Sequence, residues 1–184
     1  MSEAEMAVDF SMERFLRFGE AGPLRLGMPL TEVLRLAGEP EYTADDDDPH
    51  QPGKSHGIWS YGSLEVIYTD WLVSAFQLEQ FEAPFDLGER FRTIEDPISA
   101  GMSMREFVER LDERQIPITF FNSHWSDGQM LEDEKHIAPG ENVTAIFHAR
   151  DADLRRVDEF RLGTLIACRE KAVATEVVEV NRWF

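Results

Sequence analysis

Residues 27–34 read GMPLTEVL, and residues 101–108 read GMSMREFV. The two segments share glycine, methionine and glutamate at matched positions, and both place apolar residues at i, i+3, i+4 and i+7. This spacing gives a short helix a single apolar stripe. The first stripe consists of Leu30, Val33, Leu34 and Ala37, and the second consists of Met104, Phe107, Val108 and Leu111. The pattern predicts a tandem duplication, with chance similarity as the alternative.

The residues around both segments set the predicted helix ends. Pro29 suits the first turn of a helix over Leu30–Ala37. In the second segment, Ser103 and Glu106 form an S-x-x-E capping box, in which the hydroxyl and the carboxylate each satisfy a free backbone donor. The second helix is expected to run to about Arg114.

Each predicted helix is followed by short runs in which apolar and polar residues alternate, as they do in half-buried strands. In the first half these runs are Ile58–Tyr61, Leu64–Thr69 and Leu72–Phe81. In the second half they are Ile116–Phe121, Gln129–His136, Val143–His148, Phe160–Arg169 and Val173–Val180. We therefore expect an α+β fold built by tandem duplication of a helix packed on an antiparallel β-meander.

The chain divides into four predicted segments. Residues 1–22 hold an N-terminal helix over Asp9–Phe18, residues 23–82 form the first unit, residues 83–98 connect the units, and residues 99–184 form the second unit. The connector is placed by its Pro and Gly residues, which break regular structure.

Part of the first unit resembles a known helix-then-sheet repeat. The string from Leu26 to Pro40, followed by WSYG at residues 59–62 and LEV at residues 64–66, resembles the β-lactamase inhibitory protein and outer-membrane-assembly lipoproteins of the SmpA/OmlA type. It is also similar to uncharacterised bacterial proteins found near toxin genes as immunity proteins. The resemblance covers residues 24–81 and, more weakly, 98–121, and it implies a helix-backed antiparallel sheet. The single cysteine departs from the disulfides of the inhibitor type.

Charge is the second strong signal in the sequence. The chain has 36 acidic and 18 basic residues, a net charge of −18 that both halves share. Such a field repels nucleic-acid phosphates and anionic lipid, and it attracts a basic protein. We therefore expect a basic protein partner, no nucleic-acid binding and no membrane binding. The alternative is that the acidic surface serves only solubility.

The predicted location of the protein is cytoplasmic. The chain has no run of about 18 apolar residues, and its first twenty residues are acidic where a signal peptide would be basic and then apolar. Cys168 is the only cysteine, which agrees with a reducing compartment. We expect it to act as a small apolar residue on a strand.

The sequence shows no pattern typical of catalysis or of metal binding. The histidines lack H-x-x-x-H or cysteine-partnered spacing, and they are His50, His56, His124, His136 and His148. Ser123 lies beside His124 without a G-x-S-x-G elbow, and no glycine-rich phosphate loop occurs. We therefore predict no catalytic residue, no metal and no cofactor, with an enzyme lacking a recognisable motif as one alternative.

Aromatic and acidic residues are the candidates for a binding surface, because Trp and Tyr give large contact areas at interfaces. The alternative is that the aromatic residues are core. The candidate interface residues are Trp59, Tyr61, Trp71, Trp125, Asp45, Asp46, Asp47 and Asp48, the aspartates belonging to an irregular acidic loop. The predicted function is a non-enzymatic acidic protein-binding module, such as an immunity or inhibitor protein. A small-molecule-binding protein with a cleft between the two units is the other alternative.

Overall fold

The computed structural model describes residues 7–47, 55–79, 85–94, 98–122, 134–140, 142–149, 160–168 and 176–177. The helices are α1 (Met12–Phe18), α2 (Leu30–Ala37) and α3 (Met104–Glu113). The strands are β1 (Val8–Phe10), β2 (Tyr42–Asp47), β3 (Ser55–Tyr61), β4 (Leu64–Thr69), β5 (Leu72–Glu79), β6 (Phe91–Thr93), β7 (Ile118–Asn122), β8 (Glu134–Pro139), β9 (Val143–Ala149), β10 (Phe160–Cys168) and β11 (Glu176–Val177).

Nine of these strands form one antiparallel sheet in the order β11-β7-β8-β9-β10-β5-β4-β3-β2. The first unit contributes β2 to β5, the second contributes β7 to β11, and β5 pairs directly with β10 at the junction. The short strands β1 and β6 pair in parallel as a separate sheet. The predicted α+β class with a mainly antiparallel sheet is confirmed. No described helix has the length and the apolar character needed to cross a bilayer.

The two matched helices begin differently. The hydroxyl of Ser103 accepts from the Glu106 backbone N–H at 3.2 Å, and the Glu106 carboxylate accepts from the Ser103 N–H at 2.9 Å. The predicted capping box of α3 is therefore confirmed. Pro29 precedes α2 without a side-chain cap. Both helices bury their apolar stripe, through Leu30, Val33 and Ala37 in α2 and through Met104, Phe107 and Leu111 in α3.

The segment before each helix bonds to a later strand of its own unit, β5 in the first unit and β10 in the second. The bonds have the same pattern in the two units. In the first unit, the Gly27 N–H donates to the Val73 carbonyl at 2.7 Å, and the Val73 N–H donates to the Met28 carbonyl at 2.9 Å. In the second unit, the Gly101 N–H donates to the Leu162 carbonyl at 2.8 Å, and the Leu162 N–H donates to the Met102 carbonyl at 2.9 Å. Each helix is thus fixed against its sheet by its own N-terminal segment.

The register of the sheet is also alike in the two halves. An isolated bridge joins Pro29 to Leu72, and another joins Ser103 to Arg161. Ser74 lies two residues after Leu72, and Gly163 lies two residues after Arg161. Each is skipped in the pairing of its strand, so β5 and β10 carry a bulge at the same distance from their bridges. Gln77 lies five residues after Leu72, and Ile166 lies five residues after Arg161. These two residues pair with each other where β5 meets β10.

The core lies between the sheet and the helices, and different elements complete it in the two halves. In the first half the connector adds Leu87 and Phe91, and the Phe91 ring meets the Tyr61 ring edge-on at 5.5 Å. In the second half α1 packs against β9. Arg17 at the end of α1 donates to the carbonyls of Arg114 and Gln115.

Two short strands were missed in the sequence. The predicted helix over Asp9–Phe18 begins only at Met12, because Ser11 caps α1 by accepting from the Arg14 N–H at 3.1 Å. Val8–Phe10 form β1 instead and pair with β6, which lies inside the predicted connector. Three-residue strands are too short to show an alternating pattern, and their pairing is long-range.

The acidic segment also differs from its prediction. Asp45, Asp46 and Asp47 were expected in an irregular loop, but they form the second half of β2 and pair with β3. Strand propensity depends strongly on context, and aspartate is tolerated on an edge strand, where charge discourages self-association. Asp48 lies outside the described residues.

The remaining strands lie close to their predicted positions. β4 has the predicted bounds, and β5, β9 and β10 differ from them by one or two residues. β8 begins at Glu134, and the earlier part of the predicted Gln129–His136 run lies outside the described residues. The last predicted run contributes β11, and its other residues also lie outside that description.

Candidate functional site

The turn between β4 and β5 has an unusual backbone. It consists of Asp70 and Trp71, whose φ angles are 53° and 65°. Two-residue hairpin turns with positive φ at both positions strongly favour Asn-Gly or Asp-Gly. Asp70 suits the first position, but a bulky residue in the left-handed region is an outlier that costs about 1–3 kcal/mol. Trp71 therefore occupies a position at which glycine would be easier to accommodate.

Contacts on both sides hold this turn in place. The Trp71 carbonyl accepts from the Leu30 N–H of α2 at 3.0 Å, and the Asp70 N–H donates to the Ser55 carbonyl at 2.7 Å. The indole stacks on the Tyr68 ring, with centroids 6.1 Å apart and planes 15° apart. Trp71 nevertheless remains 61% exposed. The turn therefore presents a fixed, accessible indole.

A row of aromatic rings continues from Trp71 into the first unit. The Trp59 ring meets the Tyr68 ring edge-on at 5.9 Å, Tyr68 is buried, and Trp59 is half-buried. Gly57 makes room for this row, since a Cβ at that position would lie 2.6 Å from the Tyr68 hydroxyl oxygen and 2.5 Å from the Ala44 carbonyl oxygen. A strand glycine with such neighbours typically marks a close approach.

The register brings the aspartates of β2 to the same end of the sheet. Asp45 pairs with Gly57, and Asp47 pairs with Ser55, whose carbonyl accepts from Asp70. Neighbouring strands lie about 4.8 Å apart, so β2 and β4 are separated by roughly 10 Å. We call this region, made of Asp45–Asp47, Trp59, Tyr68 and the Asp70–Trp71 turn, the acid–aromatic corner. Aspartates and an exposed indole that are distant in sequence therefore share one end of the sheet.

One candidate residue does not belong to this surface. Tyr61 is fully buried, and its hydroxyl donates to the Gly38 carbonyl at 2.9 Å. Burial raises the pKa of Tyr61 to about 12, the negative charge of Glu39 adds to the rise, and the positive charge of Arg90 opposes it. The expectation that Tyr61 forms part of an interface is corrected, because its side chain offers no contact area. Trp125 lies outside the described residues.

The core interpretation holds for five aromatic residues of the main sheet. Those with less than 2% exposure are Tyr61, Tyr68, Phe76, Phe120 and Phe147. On the sheet face away from these rings, Ile67 pairs with Ala75 and Glu65 pairs with Gln77. Desolvation, and then the charge of Glu79, raise the pKa of Glu65. These five rings are therefore core and do not contribute to a binding surface.

Sequence reasoning missed three exposed residues in the corner and on the strands that adjoin it. Asp70 and Leu72 flank Trp71, and Leu72 is 44% exposed. Tyr42, at the start of β2, is 64% exposed. A tryptophan directly after an aspartate at a predicted two-residue turn was an available signal for the exposed tip, because hairpin tips face solvent.

Two surface cavities lie elsewhere, at the end of α2. One has a volume of about 330 Å³ and is lined by Ala7, Val8, residues 34–38, Glu89 and Arg90. The other has a volume of about 730 Å³ and is lined by residues 39–41, Asp86, Gly88, Glu89 and Arg90. Neither cavity lies at the β5–β10 junction, where a cleft between the units was considered and where the strands instead pair directly.

The described part of the chain contains no group of three or more His, Cys, Asp and Glu side chains placed to hold a metal ion. His56, His136 and His148 lie on β3, β8 and β9. Ser123, His50 and His124 lie outside the described residues.

No known protein family and no curated protein matches the chain significantly. A solved structure with some similarity is a cysteine-rich secretory protein from Staphylococcus aureus, with a TM-score of 0.39 and 11% sequence identity. The match covers 89% of this chain and 50% of that one, so this chain spans half of the other's length. Similarity at that level carries no functional argument. The resemblance to the β-lactamase inhibitory protein and to lipoprotein repeats stays a prediction.

Proposed function

We propose that the protein is a non-enzymatic binding module that docks a basic protein partner on the acid–aromatic corner. The observation that carries this proposal is Trp71, which is 61% exposed although it occupies a left-handed turn position and stacks on a buried ring. Backbone strain held by surrounding contacts is concentrated at functional sites. A rigid, exposed tryptophan is also the side chain most typical of an interface hot spot.

Charge supports the choice of a basic partner. The net charge is −18, and the register places Asp45–Asp47 at the same end of the sheet as Trp71. A negative field steers a basic protein toward the surface and raises its association rate, whereas buried aromatic anchors mainly set the dissociation rate. The corner therefore combines a long-range attraction with a short-range anchor. A bacterial immunity or inhibitor protein, located in the cytoplasm, is the kind of module that we propose.

The internal duplication is part of the same proposal. It is supported by the matched bonds before the two helices, the bulges at matched positions in β5 and β10, and the pairing of Gln77 with Ile166. Gln77 and Ile166 each lie five residues after the bridge residue of their own unit, so they are equivalent positions. Equivalent residues of two similar units contact each other where a two-fold axis relates the units. The corner belongs to the first unit.

The test begins with a partner captured from the native host and purified. Association should slow as salt rises beyond about 0.15 M, where the Debye length is about 8 Å, while dissociation should change much less. Trp71→Ala should raise the dissociation rate by about thirtyfold or more, which corresponds to the loss of about 2 kcal/mol that defines a hot spot. Phe18→Ala is the matched control, since Phe18 is 56% exposed at the end of α1 and lies outside the corner.

Equal effects of Trp71→Ala and Phe18→Ala would contradict the corner as the docking site. A partner that proves to be acidic, or whose association rate ignores salt, would contradict the electrostatic part. Copurification of a small molecule in the cavity beside Arg90, with no protein bound, would favour the small-molecule alternative.

A further inference from the structure

β2 is an outer strand of the main sheet. It pairs with β3 on one side, and no other described strand pairs with it. Alternate residues of an antiparallel edge strand direct their N–H and C=O groups away from the sheet. Such an edge is a template for a further strand, which can come from another protein.

The start of this edge is accessible. Tyr42 is 64% exposed, and Thr43 is also exposed. The strand runs for six residues, a length close to that of an average strand. A segment added beside it would meet an accessible backbone at the start of β2.

Charge selects the occupant. Three of the six residues of β2 are aspartates, Asp45, Asp46 and Asp47. A second copy would bring the same three aspartates against them, and like charges on paired strands are destabilising. A segment that carries lysine or arginine would instead form pairs of opposite charge with them.

We propose that β2 receives an extended, lysine- or arginine-bearing segment of a protein partner as an added strand. This inference rests on the proposed function and specifies how the basic partner is held. Main-chain bonds to β2 supply much of the affinity, and the aspartates select the sequence of the added segment.

The first experiment uses a ten-residue peptide of alternating lysine and valine, mixed with the full chain. Its binding should slow amide hydrogen exchange at alternate residues of Tyr42–Asp47 by about tenfold or more, as new hydrogen bonds form there. A peptide of the same sequence and charge, N-methylated throughout, should bind at least about tenfold more weakly because it lacks the backbone donors. A peptide of alternating glutamate and valine should not bind.

The second experiment reverses the charge of the edge. The variant Asp45→Lys/Asp46→Lys/Asp47→Lys should bind the lysine peptide at least about tenfold more weakly than the parent does, and it should bind the glutamate peptide, which the parent does not. Glu109→Lys/Asp112→Lys/Glu113→Lys is the control, since it changes the net charge equally at exposed positions of α3 in the other half. If the edge triple variant does not fold, Asp46→Lys alone should show a smaller loss in the same direction.

Strand addition is overturned if the unmodified protein does not bind the lysine peptide, or if N-methylation leaves the affinity unchanged. Equal losses in the two triple variants overturn it as well, because long-range charge alone would then explain binding. A native partner that depends on Trp71 but leaves the exchange of β2 amides unchanged contradicts this inference while the proposed function stands.

Discussion

The two halves of the molecule place different residues just before the matched bridge residues, which are Leu72 of β5 and Arg161 of β10. In the first half, Trp71 precedes Leu72 and is 61% exposed. In the second half, Phe160 precedes Arg161 and is 2% exposed, with the Lys135 ammonium 5.7 Å from its ring centroid. The same position thus serves the core in one half and the surface in the other. The exposed aromatic side chain is therefore a local feature of the first half that the architecture does not require.

The helix starts show a related difference. In α3 the Ser103–Glu106 capping box satisfies the first turn, whereas in α2 the Leu30 N–H donates to the Trp71 carbonyl. Free N–H groups at a helix start need partners. In the first half, therefore, the Trp71 carbonyl of the hairpin turn satisfies one of the free N–H groups of α2. The same hydrogen bond fixes the position of Trp71 relative to α2.

The largest expected effect tests whether the halves unfold together. Phe107→Asp should lower the free energy of unfolding by about 4 kcal/mol or more, because it puts an unpaired charge against the Phe147 ring, now 5.2 Å from that of Phe107. Since β5 pairs with β10, hydrogen-exchange protection should fall in β4 as well as in β9. Val33→Asp, in α2 of the first half, should likewise lower the free energy of unfolding and the hydrogen-exchange protection of both β4 and β9.

Glu109→Ala, on the exposed side of α3, should stay within about 0.5 kcal/mol of the parent. Loss of protection confined to β9 in the Phe107→Asp variant would mean that the two halves unfold independently.

The next effect compares the two matched positions directly. Phe160→Ala should cost about 3–5 kcal/mol, the usual loss for a buried phenylalanine. Trp71→Gly should cost far less, or raise the free energy of unfolding by up to about 1 kcal/mol, because glycine accepts positive φ without strain. Urea denaturation measures both values.

A loss above about 2 kcal/mol for Trp71→Gly would show that the stack on Tyr68 is structural and that the strain has no functional meaning. Trp71→Ala separates the two contributions, since alanine removes the ring but keeps the strain.

A smaller effect concerns the capping box, which α3 has and α2 lacks. Ser103→Ala should cost about 1 kcal/mol at neutral pH, the usual value for an N-cap. The hydrogen bonds from the Ser103 side chain and backbone hold the pKa of Glu106 below its ordinary value. A carboxyl whose pKa is lowered by folding stabilises the protein above its unfolded pKa, and this contribution disappears as pH falls through the folded pKa.

The difference between the Ser103→Ala variant and the parent should therefore shrink below about pH 4 in thermal unfolding experiments. A difference that does not change with pH would contradict the role of the Glu106 carboxylate in the cap.

The smallest effect concerns Glu65. It pairs with Gln77 in the first half, and the matched position in the second half is Thr144, which pairs with Ile166. Desolvation and the charge of Glu79 raise the pKa of Glu65, so the folded state holds this proton more tightly than the unfolded state does. Stability contributed by the group is therefore lost as pH rises from its unfolded pKa through its folded pKa.

Glu65→Gln should raise the free energy of unfolding at pH 7 by a few tenths of a kcal/mol, since the carboxyl is partly exposed and screened by solvent. The gain should vanish below pH 4, where the carboxyl is neutral in both states. Glu79→Gln should give a gain with the same pH dependence, because it removes the repelling charge. A gain that persists at low pH would contradict the electrostatic explanation.

Much of the fold could be predicted from local sequence. The stripes of α2 and α3 and the alternation in β4 were read correctly, because each depends on periodic burial over one short element. β1, β6 and the strand character of Asp45–Asp47 could not be read, because they depend on pairing with residues distant in sequence. Local preference does not contain that information.

The site was predictable only in part, and for a similar reason. Trp71 was a candidate by residue type, and its exposure depends on the turn between the predicted runs Leu64–Thr69 and Leu72–Phe81. Tyr61 was equally plausible by type, but its place on the buried side of β3 depends on the register and on the connector residue Phe91. Composition could not separate these two aromatic residues.

The contacts of Arg17 have a consequence for synthesis of the chain. Its acceptors, Arg114 and Gln115, lie 97 and 98 residues later, and the strand under α1 is later still. At ribosomal rates of about 5–20 residues per second, α1 waits roughly 5–20 s for these two acceptors, and longer for β9. Phe15 and Leu16, buried in the finished protein, stay uncovered during that time. The nascent chain therefore carries an apolar segment of the kind that chaperones bind, and α1 can complete its packing only after β9 has been synthesised.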